Sequence, residues 1–170
     1  MAKKIFSFDA ETNGLWGQAF SIAAVVTEEN KVVKEFTARC PLNNPNPWVA
    51  ENVLPEMAGI PITHESYKSM LEAFIRFYME NKEDAIVLVH MGLPVEAKLF
   101  LDAHAFGILG DWDAPSPLVD ISAIPEICVS VDTYNKNNRI NLPEMEGGTH
   151  NPMYDSLAAA YAYDHWCANR

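Results

Sequence analysis

Basic residues are few in this chain: 12 Lys and Arg stand against 23 Asp and Glu in 170 residues, a formal net charge of −11. The shortage excludes a protein that grips nucleic acid by a broad cationic surface, because such binding runs on phosphate neutralisation and counterion release. It does not exclude one that meets phosphates through divalent cations, whose ligands are carboxylates. Cysteine is scarce too. The three present, Cys40, Cys128 and Cys167, are far apart. They offer neither a zinc-ligand spacing nor a redox pair, so reduced thiols in a cytosolic protein are expected. No apolar run approaches a membrane span, and Met1-Ala2-Lys3-Lys4 leads straight into Ile5-Phe6 without the apolar segment of a secretory signal. A cytoplasmic location without membrane attachment is the expectation. Internal repeats and low-complexity tracts are also missing. What remains, 49% hydrophobic and 21% charged residues, suits one folded domain over residues 1–170 with a core of its own.

Residues 3–9 alternate and end at acids, which predicts a strand opening onto a polar loop. Residues 19–28 and 31–40 are two further β-rich runs split by the turn-like Glu29-Asn30, completing a three-stranded meander. A Pro- and Asn-rich stretch from Pro41 to Pro61 predicts a short helix around Trp48–Met57, with Trp48, Val53 and Leu54 packing on the domain. From His64 to Lys82, apolar residues at Tyr67, Met70, Leu71, Phe74, Phe77 and Tyr78 follow the three-and-four spacing of a helix with one buried face. The apolar run at 85–90 predicts a strand covered on both faces. Pro94 then opens a helix to about Ala105, and 118–121 reads as a short fifth strand. Residues 128–149 are polar and irregular. A last helix begins at Asn151-Pro152, a good cap and a good first residue, and runs to about Cys167. Together these give an α/β domain with a mixed sheet and helices on its faces.

Two features carry chemistry. Asp9 and Glu11, two apart at a strand's end, project from one side and repel each other unless a cation lies between them. Near the start of the last helix, His150-Asn151-Pro152-Met153-Tyr154-Asp155 sets Asp155 about one turn beyond the cap, with His150 just before the helix. Helix-dipole stabilisation alone accounts for Asp155 but not for His150 at that offset.

An Asp-x-Glu at the end of the first strand and a His-x-x-x-x-Asp entering the last helix resemble the DEDDh family of 3′–5′ exonucleases. Ser7-Phe8-Asp9-Ala10-Glu11-Thr12-Asn13-Gly14-Leu15 is similar to that family's first motif, and the run from Gly148 through Asp155 to Ala160 to its third. The order of elements agrees over nearly the whole chain. The resemblance implies a ribonuclease H-like fold, a five-stranded mixed sheet with its first three strands antiparallel and helices on its flanks. The middle motif departs from the pattern: the family places an Asp just after the fourth strand, whereas Val89 to Lys98 holds none. Glu96, shifted by one position, is the best stand-in, its longer side chain offsetting the shift. Asp102 is the other acid on that helix, nearly two turns further on.

The activity so implied is two-metal hydrolysis of phosphodiester bonds at 3′ ends. Asp9, Glu11 and Asp155 are the expected ligands of one Mg²⁺ or Mn²⁺, with Asp9 bridging to a second ion and Glu96 assisting through water. Oxygen-only ligation favours these two metals over zinc. His150, with an ordinary pKa near ~6.5, suits the general base. Thr12 and Leu15 are the substrate-binding positions implied, Leu15 as an apolar wedge against terminal bases. Trp16 is read as a buried Trp in preference to a base-stacking one, and His90 as a satisfied structural histidine. Short or single-stranded 3′ ends of RNA or DNA are the expected partners, and a homodimer is an expected assembly, since small members of the family are often dimers. The competing expectation is a non-catalytic relative, a nucleic-acid-binding or scaffolding domain with an altered middle motif.

Overall fold

A computed structural model describes residues 4–128 and 130–170. The elements in chain order are β1 (Lys4–Thr12), β2 (Ala19–Glu28), β3 (Lys31–Arg39), α1 (Pro47–Asn52), α2 (Tyr67–Asn81), β4 (Ala85–Val89), α3 (Val95–Ala105), β5 (Val119–Asp120), α4 (Val131–Asn137) and α5 (Pro152–Ala168). One sheet runs β3-β2-β1-β4-β5. Its first three strands are antiparallel, and β4 and β5 join parallel to β1 and to each other. This is the ribonuclease H-like arrangement.

The period-two alternation of β1 sorts its side chains between two cores. Phe6, Phe8 and Ala10 enter an aromatic core with Phe74, Tyr78 and Phe100, beneath α2 and α3. Ile5 enters the opposite core with Leu88, Leu157 and Ala158–Ala160, beneath α5. The small residues of α5 let its backbone lie close on the sheet, where the buried Ser156 hydroxyl donates to the Ala23 carbonyl (3.2 Å) and to Pro152 in its own first turn (2.7 Å). The start of α5 is capped as expected, Asn151 accepting from Met153 N–H (3.0 Å) ahead of Pro152, and on α2 the structure adds a reciprocal capping box of Ser66 and Ser69.

Several boundaries differ from expectation. β1 continues through the acids to Thr12 because β2 pairs with it over that whole length, so Asp9 and Glu11 sit within a strand. The helix expected at Trp48–Met57 ends at Asn52, and Pro94 caps α3 instead of lying in its first turn. The stretch read as irregular contains α4, whose Ser130 side chain caps Thr133 N–H (3.2 Å). Its seven residues hold few apolar positions, too weak a period to read. Trp48 does not pack on the domain; it is 60% exposed, while Val53 is buried and Leu54 lies against the core. Trp16 is likewise 73% exposed instead of buried.

Candidate metal centre

The odd-numbered face of β1 that carries Ile5 also carries Asp9 and Glu11, so both point toward α5. The first turn of α5 places Asp155 over them. One carboxylate oxygen from each of Asp9, Glu11 and Asp155 lies within 4.8 Å of the others. Glu96 arrives from the opposite direction. β4 pairs with β1 only as far as Ser7, which leaves room beyond it for the first turn of α3. There Glu96, 3% exposed, accepts the Ala10 backbone N–H at 3.2 Å and shares a hydrogen bond with the Asp9 carboxyl.

No Lys or Arg pairs with any of these four acids among the described residues. Burial and mutual repulsion therefore hold their protons on. Asp9 is raised well above the usual carboxylate range by burial, then by the charges of Glu96, Asp155 and Glu11. Glu11 is pushed up to about 8 by burial and by Asp155 and Glu96. Burial raises Glu96 to about 7 against the hydrogen bonds it accepts, and raises Asp155 to about 7 with help from Asp132. A hard divalent cation relieves this repulsion directly, and an all-oxygen donor set at this spacing fits Mg²⁺ or Mn²⁺. The donor chemistry and the group fit.

The other residues singled out from sequence lie as follows. His150 ends a short 3-10 turn, Gly148–His150, that leads into α5. It is partly buried, and no ion pair joins its ring to the acids within 4.0 Å. Asp102 is occupied elsewhere, accepting from Tyr67 OH (2.6 Å) and Lys98 Nζ (2.5 Å). Thr12 donates its hydroxyl to Gly14 O (2.8 Å), and Leu15 is 61% exposed. His90 is not satisfied: its buried Nε2 has no partner, and burial lowers its pKa against the charges of Asp120 and Asp132.

Asp120 and Asp132 escaped the sequence reading. Asp120 ends β5 and accepts Met91 N–H and Gly92 N–H, each at 3.0 Å, as well as both the N–H and the hydroxyl of Ser122. Burial alone would raise its pKa, but these bonds outweigh it and hold the carboxylate lower. They also fix the β4–α3 loop from which Glu96 projects. Asp132, in the first turn of α4, accepts from Tyr154 OH at 3.0 Å and faces Asp155. An acid closing the short apolar strand Leu118-Val119-Asp120 was a legible signal for the first; nothing local marked the second.

No family model and no curated protein sequence matches the chain. Solved structures do. A product-bound structure of exonuclease I superposes with a TM-score of 0.59 at 13% identity, covering 97% of this chain and 44% of that one. E. coli exonuclease I in complex with a 5cy-dT13 oligonucleotide gives 0.56 at 14% identity, over 99% of this chain and 42% of that one. The metal-free form of the E. coli exonuclease I–ssDNA complex gives 0.55 at 14%, over 98% and 41%. The chain thus spans less than half the length of these relatives, and at such identities what it shares with them is the fold.

Proposed function

We propose that this chain is a metal-dependent 3′–5′ exonuclease acting on single-stranded RNA or DNA ends. The carrying observation is the cluster of Asp9, Glu11 and Asp155 within 4.8 Å, unpaired with any cation, on a fold shared with exonuclease I. Asp9, Glu11 and Asp155 would hold one Mg²⁺ or Mn²⁺, with Asp9 and Glu96 serving a second. Such ions supply a nucleophilic water at neutral pH and stabilise the leaving 3′-oxygen. The chain's own contribution is to hold four acids rigidly on three elements. Glu96 fixes the position of Asp9 through their shared hydrogen bond, and the α5 cap sets Asp155. His150, on the turn that leads into the same helix, would be the residue to accept the proton of the attacking water. Thr12 and Leu15, just past the acids, meet the terminal nucleotide. Among the described residues no helix is long and apolar enough to cross a membrane, and a cytoplasmic enzyme acting as monomer or homodimer completes the reading.

The competing reading, a non-catalytic binding or scaffolding relative, draws on the altered middle motif, the acidic surface and the lack of an ion pair between His150 and the acids among the described residues. One experiment separates the two: degradation of matched 3′- and 5′-labelled RNA and DNA oligonucleotides with Mg²⁺ or Mn²⁺, comparing the parent with Asp9→Asn. A ladder shortening from the 3′ end in the parent and absent in the variant supports the enzyme. Metal-dependent stabilisation without any ladder supports the scaffold.

A further inference from the structure

A cavity of about 610 Å³ opens between α4, the segment that follows it and the first turn of α5, within the roughly 300–1,000 Å³ of small-ligand sites. Asp132, Asn135 and Lys136 line it from α4, Leu142 and Met145 from the following segment, and Tyr154 from α5. Gly148 and Thr149 close one side, so an occupant touches the turn that carries His150. Asn135 is 2% exposed. Its Nδ2 donates to Ala158 O at 3.1 Å, while its buried Oδ1 has no partner. Buried amide oxygens are nearly always hydrogen-bonded in folded chains, so this one is an acceptor left for a donor from outside. Three residues earlier, on the same face of the helix, Asp132 accepts Tyr154 OH on Oδ1 at 3.0 Å, and its other oxygen takes no hydrogen bond among the described residues.

The charges around these acceptors are left uncompensated. Lys136, one helical turn after Asp132, is its ordinary ion-pair partner by spacing, yet the two do not pair among the described residues. His90, which also faces Asp132, is lowered by burial below the ordinary histidine range and is uncharged at neutral pH. Glu144 adds a second acid to the lining. A phosphate or carboxylate ligand would therefore meet two acids against one lysine, whereas a cation with several donors meets acceptors that need them. A guanidinium presents its N–H donors in a fixed planar fork, which can serve an amide oxygen and a carboxylate together. Its methylene stem suits the wall of Leu142 and Met145, both partly buried against the core beneath α5.

We propose that this cavity binds a guanidinium group on an aliphatic stem, as a free small molecule or as an arginine side chain of a basic partner, with Asn135 and Asp132 as its acceptors. The site stands apart from the exonuclease reading. The test is a calorimetric titration of the full chain, with Mg²⁺ in excess so that the acid cluster does not compete for the cation. The probes are butylguanidinium, N-acetyl-arginine methylamide and its uncharged isostere N-acetyl-citrulline methylamide. The guanidines should bind with a Kd of about 0.1–1 mM and shift the Asn135 side-chain amide resonance in ¹⁵N spectra. The citrulline probe should bind at least about tenfold more weakly. Asp132→Asn, at an exposed position, should cost about tenfold in affinity for the guanidines. Lys136→Ala should tighten their binding about 2- to 5-fold by removing a like charge. Equal affinity for the arginine and citrulline probes, binding indifferent to Asp132→Asn, or a Lys136→Ala variant that binds more weakly overturns the site. Binding of butylguanidinium alone supports it with a free guanidine as occupant, and binding of the arginine probe as well supports it with a protein side chain. No arm of the test measures hydrolysis, so its failure leaves the exonuclease reading untouched, and a chain without nuclease activity leaves this site standing.

Discussion

Each acid of the cluster is costly to hold charged without a cation, and this sets a pH dependence. Glu11 at about 8, and Asp155 and Glu96 at about 7, lie above their unfolded values near 4. Between those limits the folded chain binds more protons than the unfolded one, so stability falls as pH rises. The metal-free protein should accordingly lose thermal stability from about pH 4 to about pH 8, in melts recorded with EDTA. Glu11→Gln should flatten that slope, and Mn²⁺ added at pH 7.5 should reverse it by relieving the repulsion. A metal-free melting temperature that climbs across this window sinks the electrostatic account. At Glu96 the carboxylate has two tasks, accepting from Ala10 N–H and facing Asp9. Glu96→Gln keeps an acceptor but removes charge, and Glu96→Asp keeps charge but withdraws it; both should raise the Mn²⁺ concentration needed for activity. Asp102→Asn should leave that requirement unchanged while costing about 0.5–1.5 kcal/mol of stability through the Tyr67 and Lys98 bonds, measurable by urea titration.

At the scale of elements, the site depends on how closely α5 and α3 approach β1. Ala159 is 2% exposed against the sheet. Ala159→Leu should cost about 1–3 kcal/mol by overpacking and should also weaken Mn²⁺ binding, since lifting α5 lifts Asp155 with it. A loss of stability with metal affinity intact would show that Asp155 is set by its cap and not by the depth of the helix. On the other side of the sheet, Asp120 ties the loop that launches α3. Asp120→Ala leaves two backbone donors, one on the buried Gly92, without their acceptor. The expected result is about 1–3 kcal/mol of destabilisation together with a raised metal requirement, because Glu96 loses its fixed starting point. Restoring the metal requirement with Asp120→Asn, which keeps one acceptor oxygen, would support a positioning role.

For the whole molecule, a formal charge of −11 means that self-repulsion opposes compactness everywhere, and most strongly at the acid cleft once pH exceeds about 8 and its carboxyls ionise. Raising NaCl from 20 to 500 mM should therefore raise the melting temperature of the metal-free chain, since the Debye length falls to a few Å across about that range. The gain should shrink once Mn²⁺ is bound, because the densest group of charges is then already compensated. A melting temperature that falls with salt would mean that attractive ion pairs dominate, although three of the five among the described residues are long and largely exposed.

Sequence alone determined the periodic elements and the acids that such periods orient. The five strands, the long α2 and the capped α5 are set by alternation, three-and-four spacing and cap chemistry, which are local properties. The pairing of Asp9 with Glu11 follows from the period of a strand, and Asp155 from its distance to the cap. What sequence could not decide depends on neighbours remote in the chain. β1 runs on past its apolar stretch because β2 pairs with it to Thr12. α4 forms on a Ser130 cap and packs against α5 despite its weak hydrophobic period. Trp16 and Trp48 stay exposed where Asn13 and Asn46 tie the β1–β2 loop to the start of α1, a helix that turns Val49 and not Trp48 into the core. Glu96 meets Asp9 only because β4 stops short and leaves the Ala10 N–H for a side chain to take. Asp132 joins the cleft solely through the packing of α4 on α5, a contact between segments whose local sequence says nothing of one another.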